Sequence, residues 1–290
     1  MKKILITGAN SYIGMSFEIY MKQFADEYKI DTVDMIDGTW REKDFSEYDS
    51  VFHVAGIAHS DNGKISEEKE KLYYSVNTNL TIETAKKAKK DGVRQFIFMS
   101  SAIVYGDSAP IGKKKNITKD TPVSPANCYG DSKVQAENGI CALEDEKFNV
   151  VILRPPMIYG KGSKGNYPIL AKIAVKIPFF PYVKNERSML YIENLCEFVR
   201  LMIVNEENGI FWPQNSEYTN TSELVQIIAK MHGKKIFLIK GFSFVLKLLS
   251  YPLGIVNKAF GSLKYDQSMS IYKEEYRIVD LENSIKITEE

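Results

Sequence analysis

Residues 3–14 read KILITGANSYIG, and this stretch decides the fold class. An apolar run ends at Thr7, the turn lies between Gly8 and Gly14, and a helical pattern follows to about Phe24. A strand, a tight turn and a helix in this order are typical of a phosphate-binding unit. Glycines suit such a turn because the backbone bends sharply and its N–H groups approach a pyrophosphate at the helix N-terminus.

The middle position of that turn is Ser11 rather than glycine. Serine is small and its hydroxyl could itself donate to a phosphate, but its side chain restricts the backbone. Taken alone, the turn therefore fits either a nucleotide site or an ordinary connection between a strand and a helix.

Apolar runs and helical stretches alternate along the first half of the chain. This alternation predicts an α/β fold, a doubly wound parallel sheet of the Rossmann type with helices on both faces. Runs without polar alternation suit strands that are buried on both sides. The predicted strands after the first are 29–36, 50–54, 95–99 and 149–153, and the predicted helices include 77–90 and 129–142.

The segment after the second predicted strand carries a candidate ribose ligand. Asp34 lies 26 residues beyond Gly8 and is placed to accept hydrogen bonds from an adenosine ribose. An ordinary turn carboxylate is the alternative interpretation, and Asp37 is a rival for the role. The interval between Asp34 and Val51 is too short for a full helix, strand and helix, so we expect this part of the sheet to be abbreviated.

Residues 100–133 contain the candidate catalytic groups. SSAIVYG begins at Ser100, and YGDSK places Tyr129 and Lys133 four residues apart, on one face of a helix. A lysine ammonium there favours the phenolate form of a tyrosine that ordinarily titrates near about 10. Together with the Ser101 hydroxyl, such a tyrosine could take a proton from a sugar or alcohol hydroxyl. A solvated lysine beside a half-buried tyrosine is the alternative for this pattern taken alone.

The bulk properties favour a globular enzyme. The chain has 290 residues, 44% apolar residues and a net charge of +1, which argues against a dominant nucleic-acid or membrane electrostatic footprint. The start MKKILITGAN lacks a signal peptide pattern, so we expect a cytoplasmic protein. The cysteines and histidines show no metal-ligand spacing, which predicts reduced thiols and no structural metal; they are Cys128, Cys141, Cys196, His53, His59 and His232.

Residues 241–263 form the longest apolar segment, but it contains lysines and a proline and is a poor membrane span. A pair of amphipathic helices covering a substrate cleft is the favoured interpretation, and a role at a membrane surface is the alternative.

Several further motifs occur in a fixed order along the chain. They are HVAG at 53–56, Asn77 opening a helix, LRPPMIYG at 153–160 and RSMLYIENL at 187–195. With TGANSYIG, SSAIVYG and YGDSK, they resemble an extended short-chain dehydrogenase/reductase of the NAD-dependent epimerase/dehydratase family, which includes nucleotide-sugar enzymes such as UDP-glucose 4-epimerases. The resemblance covers nearly the whole chain.

The resemblance implies a role for each matching residue. Tyr129 would be the catalytic base and acid, with Lys133 as its partner and ribose ligand. Ser101, or the adjacent Ser100, would bond the reacting oxygen. The implied cofactor is NAD, with NADP less favoured, held by Gly8, Ser11, Tyr12, Ile13, Gly14, Asp34, Ala55, Gly56, Asn77, Tyr129 and Lys133. The implied substrate is a UDP-sugar, contacted by Ser101, Ala102, Asn166 and Arg187.

Arg187 makes physical sense in this role because a guanidinium fork suits phosphate oxygens, although a surface salt bridge is the alternative. The chain also departs from the family pattern. Met157 stands where many relatives have an asparagine, and the late arginine that often clamps a diphosphate is matched only weakly, by Arg277.

Three reactions share hydride transfer at C4 of the sugar. A 4,6-dehydratase is disfavoured because the positions of its Asp-Glu pair are Ala102 and Ile103 here. A 4-epimerase is preferred, a 4-ketoreductase of a deoxy amino sugar is the alternative, and a non-catalytic dinucleotide-binding protein is a further one. The resemblance also implies a setting in polysaccharide biosynthesis.

The organisation expected from the resemblance has two lobes. The dinucleotide-binding domain would use residues 1–165 and the nucleotide-sugar lobe residues 166–290, with some segments crossing back. The helix beginning near Asn77 and the helix carrying Tyr129 would form a homodimer interface, as in this family.

Overall fold

The computed structural model describes residues 1–58, 65–242, 246 and 254–290. The chain divides into two compact units, each built from three segments. Unit 1 comprises 1–106, 123–155 and 195–213, and unit 2 comprises 107–122, 156–194 and 214–290. The expected boundary at residue 165 thus falls inside unit 2, which begins its second segment at Pro156.

Unit 1 contains a six-stranded sheet in which every pair of neighbours is parallel. In chain order the strands are β1 Lys2–Thr7, β2 Tyr28–Val33, β3 Ser50–His53, β4 Gln95–Met99, β6 Asn149–Leu153 and β10 Gly209–Phe211, and they lie side by side in the order β10-β6-β4-β3-β1-β2. The short β5, Asn116–Ile117, belongs to unit 2. The predicted doubly wound fold is confirmed.

The order of strands places a switch point at β1. The chain moves from β1 to β2 on one side and then to β3 on the other. In sheets of this kind, ligands bind outside the carboxyl ends of the strands at such a point. The interval after β2 is short, as expected, and holds only a 3₁₀ turn at Thr39–Arg41.

The helices of unit 1 cover both faces of the sheet. They are α1 Tyr12–Met21, α2 Glu67–Tyr73, α3 Thr81–Lys90, α4 Cys128–Cys141 and most of α6 Ile192–Val204. Aromatic and aliphatic side chains between the sheet and α3 and α4 form the main core, among them Trp40, Phe96, Phe98 and Phe148. Ile82 packs so closely against Gly139 that a side chain at position 139 would clash with it.

The predicted start of a helix at Asn77 is wrong. Ser66 caps α2, and the chain continues through a π-helical turn, Tyr74–Leu80, into α3. Asn77 lies inside that turn because its side chain pairs with the backbone of Ile57, accepting from the N–H at 2.8 Å and donating to the carbonyl at 3.1 Å. Such π turns are frequent at functional sites.

Unit 2 combines short paired strands with helices. The strand pairs are β5 with β12 Lys264–Tyr265, β7 Met157–Tyr159 with β9 Met189–Tyr191, and β8 Phe179–Pro181 with β11 Phe237–Ile239. The helices are α5 Asn166–Lys176, α7 Thr221–Met231, α8 Gly254–Phe260 and α9 Leu281–Glu289. α7 packs against both α5 and α9.

His53, at the end of β3, is fully buried between two threonines. Its Nδ1 lies 2.7 Å from Thr7 Oγ1 and its Nε2 lies 3.0 Å from Thr81 Oγ1. Burial lowers the pKa of His53 to about 3, and the positive charge of Lys133 acts in the same direction. The imidazole is therefore neutral in the folded protein at every physiological pH.

This environment predicts that acid destabilises the protein through His53. Because the unfolded pKa is about 6.5, the unfolded chain binds a proton that the folded chain does not, and stability is lost as the pH falls from about 6.5 toward 3. The loss at about pH 5 is about 2 kcal/mol from this group alone. We expect His53→Gln to lack this part of the acid sensitivity in urea unfolding at about pH 7 and about pH 5. An equal pH dependence in both proteins would contradict the prediction.

Candidate active site

Tyr129 and Lys133 occupy the first two turns of α4. Asn127 caps this helix, its Oδ1 accepting from Gly130 N at 2.9 Å. Ser101 lies close enough to the Tyr129 phenol to lower the pKa of that phenol, and its hydroxyl accepts weakly from Ile103 N, at 3.3 Å. The structure therefore brings together the hydroxyls of Ser101 and Tyr129 that the sequence pattern singles out.

Lys133 is almost completely buried. Its ammonium donates to the Met99 carbonyl at 2.8 Å and lies 4.6 Å from the centre of the Phe98 ring. Burial lowers the pKa of Lys133 to about 8, although Glu137 opposes the shift. The lysine is thus a cation whose charge is held in place by a carbonyl and an aromatic face.

The pKa of Tyr129 moves in the direction opposite to the expectation. Burial raises it to about 12, and the hydrogen bond from Ser101 offsets only part of this. The chain by itself therefore keeps Tyr129 protonated at neutral pH, poised as a hydrogen-bond donor.

Ser100 is held by a buried network of its own. Its hydroxyl donates to Glu137, whose carboxylate forms a two-point ion pair with Arg154 at 2.6 and 3.1 Å. Arg154 also donates to the Tyr105 hydroxyl at 2.7 Å. Ser101 is left as the serine beside Tyr129. Sequence reasoning missed Glu137 and Arg154, although Glu137 follows Lys133 by one helical turn and Arg154 stands in LRPP.

The glycine-bearing turn has the shape of a phosphate cradle. Gly8 has φ +97°, and a Cβ there would lie 2.7 Å from Ala55 N. A Cβ on Gly14 would lie 2.7 Å from Ser11 Oγ, so both glycines are required for close packing. Ser11 caps α1 by accepting from Gly14 N at 3.1 Å, and Tyr12 is the first residue of that helix, followed by Ile13.

A second group of predicted cofactor residues meets beyond β3. A Cβ on Gly56 would lie 3.1 Å from Asn77 Oδ1 and 3.4 Å from Lys133 Nζ, so these three residues converge. Because Gly56 has no side chain, its backbone is open to close approach by a ligand. The residues present therefore fit a dinucleotide.

Asp34 follows β2 directly. The last residue of that strand, Val33, accepts from Gly8 N and Ala9 N, which places Asp34 next to the glycine-bearing turn. The Asp34 Oδ1 accepts from Ile36 N at 2.8 Å, which turns the chain away from the sheet. The strand therefore ends at Val33, three residues earlier than predicted. The rival Asp37 instead accepts from the backbone N–H and the hydroxyl of Thr39, the first residue of the 3₁₀ turn.

Unit 2 contains a cavity of about 230 Å³ lined mainly by apolar side chains. The predicted substrate residues Asn166 and Arg187 both line it, together with Met157, Ile169, Leu170, Ile173, Met189, Thr219, Thr221, Leu224, Lys258, Ala259 and Phe260. Arg277 instead donates to the carbonyls of Gln214 and Ser270, each at 3.1 Å.

Arg187 lines the cavity, and its guanidinium is held there by backbone carbonyls. It donates to the carbonyl of Lys258 at 2.5 Å and to those of Ala259 and Gly261 at 3.4 Å. Burial lowers the pKa of Arg187 to about 10, so it remains a cation at neutral pH. No ion pair found among the described residues includes Arg187, and the surface salt bridge considered from the sequence is therefore absent from that part of the chain.

Comparison with known proteins decides the family. A profile of the NAD dependent epimerase/dehydratase family matches residues 4–211. The chain belongs to this family. It is therefore an NAD-dependent enzyme of the extended short-chain dehydrogenase/reductase type, as the motifs indicated.

Individual members of the epimerase/dehydratase family are similar over much of the chain. UDP-glucose 4-epimerase of Vibrio cholerae is 33% identical over 227 residues, 75% of this chain and 68% of that protein. N-acetyl-alpha-D-glucosaminyl-diphospho-ditrans,octacis-undecaprenol 4-epimerase of Escherichia coli O157:H7 is 31% identical over 64% of this chain and 54% of that protein. The fold matches UDP-glucuronic acid 4-epimerase of Bacillus cereus in complex with NAD, with a TM-score of 0.73, 18% identity and coverage of 98% and 96%.

Two other expectations concern what the enzyme lacks. Within the described ranges, no helix is long and apolar enough to cross a membrane. No group of three side chains suited to a metal ion occurs in the same part of the chain. His59 and residues 243–245 and 247–253 of the apolar segment 241–263 lie outside the described residues.

Proposed function

We propose that this enzyme is a nucleotide-sugar 4-epimerase acting on a UDP-hexose or UDP-N-acetylhexosamine. The observation that carries the proposal is the pairing of the Tyr129 and Ser101 hydroxyls beside the buried Lys133 cation. The positions where a dehydratase needs an acid pair hold Ala102 and Ile103, which offer no proton-transfer group.

The chain's own residues account for the proton chemistry. Bound NAD supplies the hydride acceptor at its nicotinamide ring. Ser101 holds the 4-hydroxyl of the sugar, and Tyr129 takes and returns its proton. Because burial raises the pKa of Tyr129 to about 12, the tyrosine is a poor base until further positive charge stabilises its phenolate. Lys133 is held in place by its carbonyl partner and binds the ribose.

The cavity of unit 2 supports the proposal that the enzyme binds its substrate through a nucleoside diphosphate group. Apolar side chains suit the flat faces of a base and sugar, and the Arg187 guanidinium suits phosphate oxygens. Thr219, 3% exposed, lines the same cavity, and its Oγ1 has no hydrogen-bond partner among the described residues. A buried hydroxyl of this kind is available to a substrate oxygen.

A 4-ketoreductase is the second candidate, favoured by Met157 in the cavity where many relatives have an asparagine. An epimerase returns the hydride to the same sugar and retains its cofactor, whereas a ketoreductase must exchange cofactor at each turnover. The non-catalytic alternative is disfavoured because Tyr129 and Lys133 are both present.

The deciding experiment is mass spectrometry of the dinucleotide released by acid from the purified protein, followed by assays of UDP-glucose, UDP-GlcNAc and their C4 epimers. We expect near-stoichiometric NAD and interconversion of one epimer pair. A protein free of cofactor that binds NADPH and reduces a 4-keto sugar would overturn the epimerase in favour of the ketoreductase. Failure to bind either dinucleotide would contradict both the epimerase and the ketoreductase.

We also propose a homodimer formed through the helical segment that contains Asn77 and the helix that carries Tyr129. α3 and α4 pack closely at Gly139 and Ile82, which gives a pair of adjacent helices for a second copy to pack against. We expect light scattering to give twice the chain mass of 33.0 kDa. A mass of one chain at working concentration would contradict the dimer.

A further inference from the structure

An exposed apolar face lies on the two-stranded sheet of unit 2. β8 and β11 run in parallel with Phe179 opposite Phe237, and their rings are 5.9 Å apart. These two side chains are 56% and 61% exposed, whereas Phe180, on the opposite face, is 5% exposed. Ile177, Ile239 and Phe242 are exposed beside them. We call these five residues the β8–β11 face. A contiguous group of large exposed apolar side chains indicates an interaction site.

The chain segments that build this face carry only positive charge. Residues 156–185 contain five lysines and no Asp or Glu, and residues 224–265 contain seven lysines and no Asp or Glu. The pairing of β8 with β11 joins the two segments. Because the whole chain has a net charge of only +1, the remaining residues carry an excess of acid. The positive charge of the chain is therefore concentrated in the two segments that carry β8 and β11.

The lysines next to the face are exposed. Lys176 precedes it, Lys234 and Lys235 precede β11, and Lys240 follows β11. The Lys234 ammonium donates to the Val175 carbonyl at 2.5 Å, which fixes it beside the end of α5. Among the ion pairs of the described residues, none includes these four lysines. Their charges are available to an external anion.

We propose that the β8–β11 face docks on the surface of a bilayer that contains anionic lipids. Exposed aromatic and aliphatic side chains insert at the boundary of head groups and acyl chains, and surrounding lysines pair with lipid phosphates. A protein partner fits less well, because lysine is depleted in protein interfaces. Ile177 and Ile239 cannot stack on bases, whereas all five side chains, including the three phenylalanines that could stack, suit the apolar boundary of a bilayer. The enzyme would bind the membrane peripherally, because the face consists of side chains on a small sheet.

The test is co-sedimentation of the full chain with vesicles of phosphatidylcholine alone and of equal parts phosphatidylcholine and phosphatidylglycerol. We expect binding to the anionic vesicles only, weakened by added salt. The double variant Phe179→Ser/Phe237→Ser should lower the partition coefficient by at least about tenfold. Lys235→Gln/Lys240→Gln should lower it by about fivefold per lysine.

Matched controls lie outside the face. Ile36, 92% exposed, is replaced by serine, and the exposed Lys119 by glutamine. Both controls should bind as the wild type does, and all variants should keep the wild-type melting curve because the changes are on the surface. Absence of binding to anionic vesicles, or equal binding by all variants, would overturn the proposal. Loss of self-association in the phenylalanine variant, without vesicle binding by the wild type, would assign the face to a second copy instead.

Discussion

Tyr129→Phe is expected to lower kcat by about 10²–10⁴-fold, the usual contribution of a positioned proton-transfer group. The change removes only the hydroxyl that bonds to Ser101 and leaves the ring in place. NAD should remain bound, because the cradle at Gly8 and Gly14 and the contacts among Gly56, Asn77 and Lys133 do not involve that hydroxyl. Dinucleotide content, KM and kcat of the purified variant check each part of the expectation.

Tyr73 provides a matched control for this experiment. Its ring lies 5.8 Å from that of Tyr129, and it is 1% exposed, so Tyr73→Phe removes a neighbouring hydroxyl of the same kind. Turnover should stay within a few-fold of the wild type in this variant, because Tyr73 has no proposed part in the proton transfer. Full turnover by Tyr129→Phe would eliminate the proposed mechanism, whatever the substrate.

Arg187→Met is expected to lower kcat/KM for the UDP-sugar by about 10²-fold or more, chiefly through KM. A charge-assisted bond to a phosphate contributes about 1.5–3 kcal/mol, and the two-point geometry of arginine adds to it. Arg187→Lys should recover only part of the loss, because an ammonium is a point charge without the planar fork. Steady-state kinetics of the three proteins measure the series.

Arg187 also stabilises unit 2, because it donates to three carbonyls at the end of α8. Arg277 is the matched control, since it donates to two carbonyls of the same unit and has only a weak match to a substrate position. Arg277→Met should lower the melting temperature and leave KM close to the wild-type value. If both variants lose stability and neither changes KM, Arg187 has a structural role only.

The strands that the sequence predicts most accurately are those buried on both faces. The bounds of β4 and β6 match the prediction, because parallel strands between two helical layers read as continuous apolar runs. β2 ends earlier than predicted because the Asp34 side chain accepts from Ile36 N and turns the chain. Tyr28–Val33 is also the last strand on its side of the sheet, where the apolar pattern is weaker.

The features that could not be predicted depend on contacts between distant residues. The π turn around Asn77 is set by hydrogen bonds to Ile57, which no local pattern shows. The same holds for Ser100, whose link to Glu137 and Arg154 separates it from Ser101. The motifs identified the residues around Tyr129 correctly as a group, whereas the pKa of that tyrosine depends on burial and could not be inferred from spacing.

The order in which the chain leaves the ribosome bears on how unit 1 folds. The last strand of its sheet, Gly209–Phe211, pairs with Asn149–Leu153 and is separated from it by residues that belong to unit 2. During synthesis, the strand Asn149–Leu153 therefore has one unpaired edge until most of the protein has been made. A fragment ending at residue 165 would keep that edge exposed permanently. Such a fragment should aggregate rather than form a small dinucleotide-binding protein.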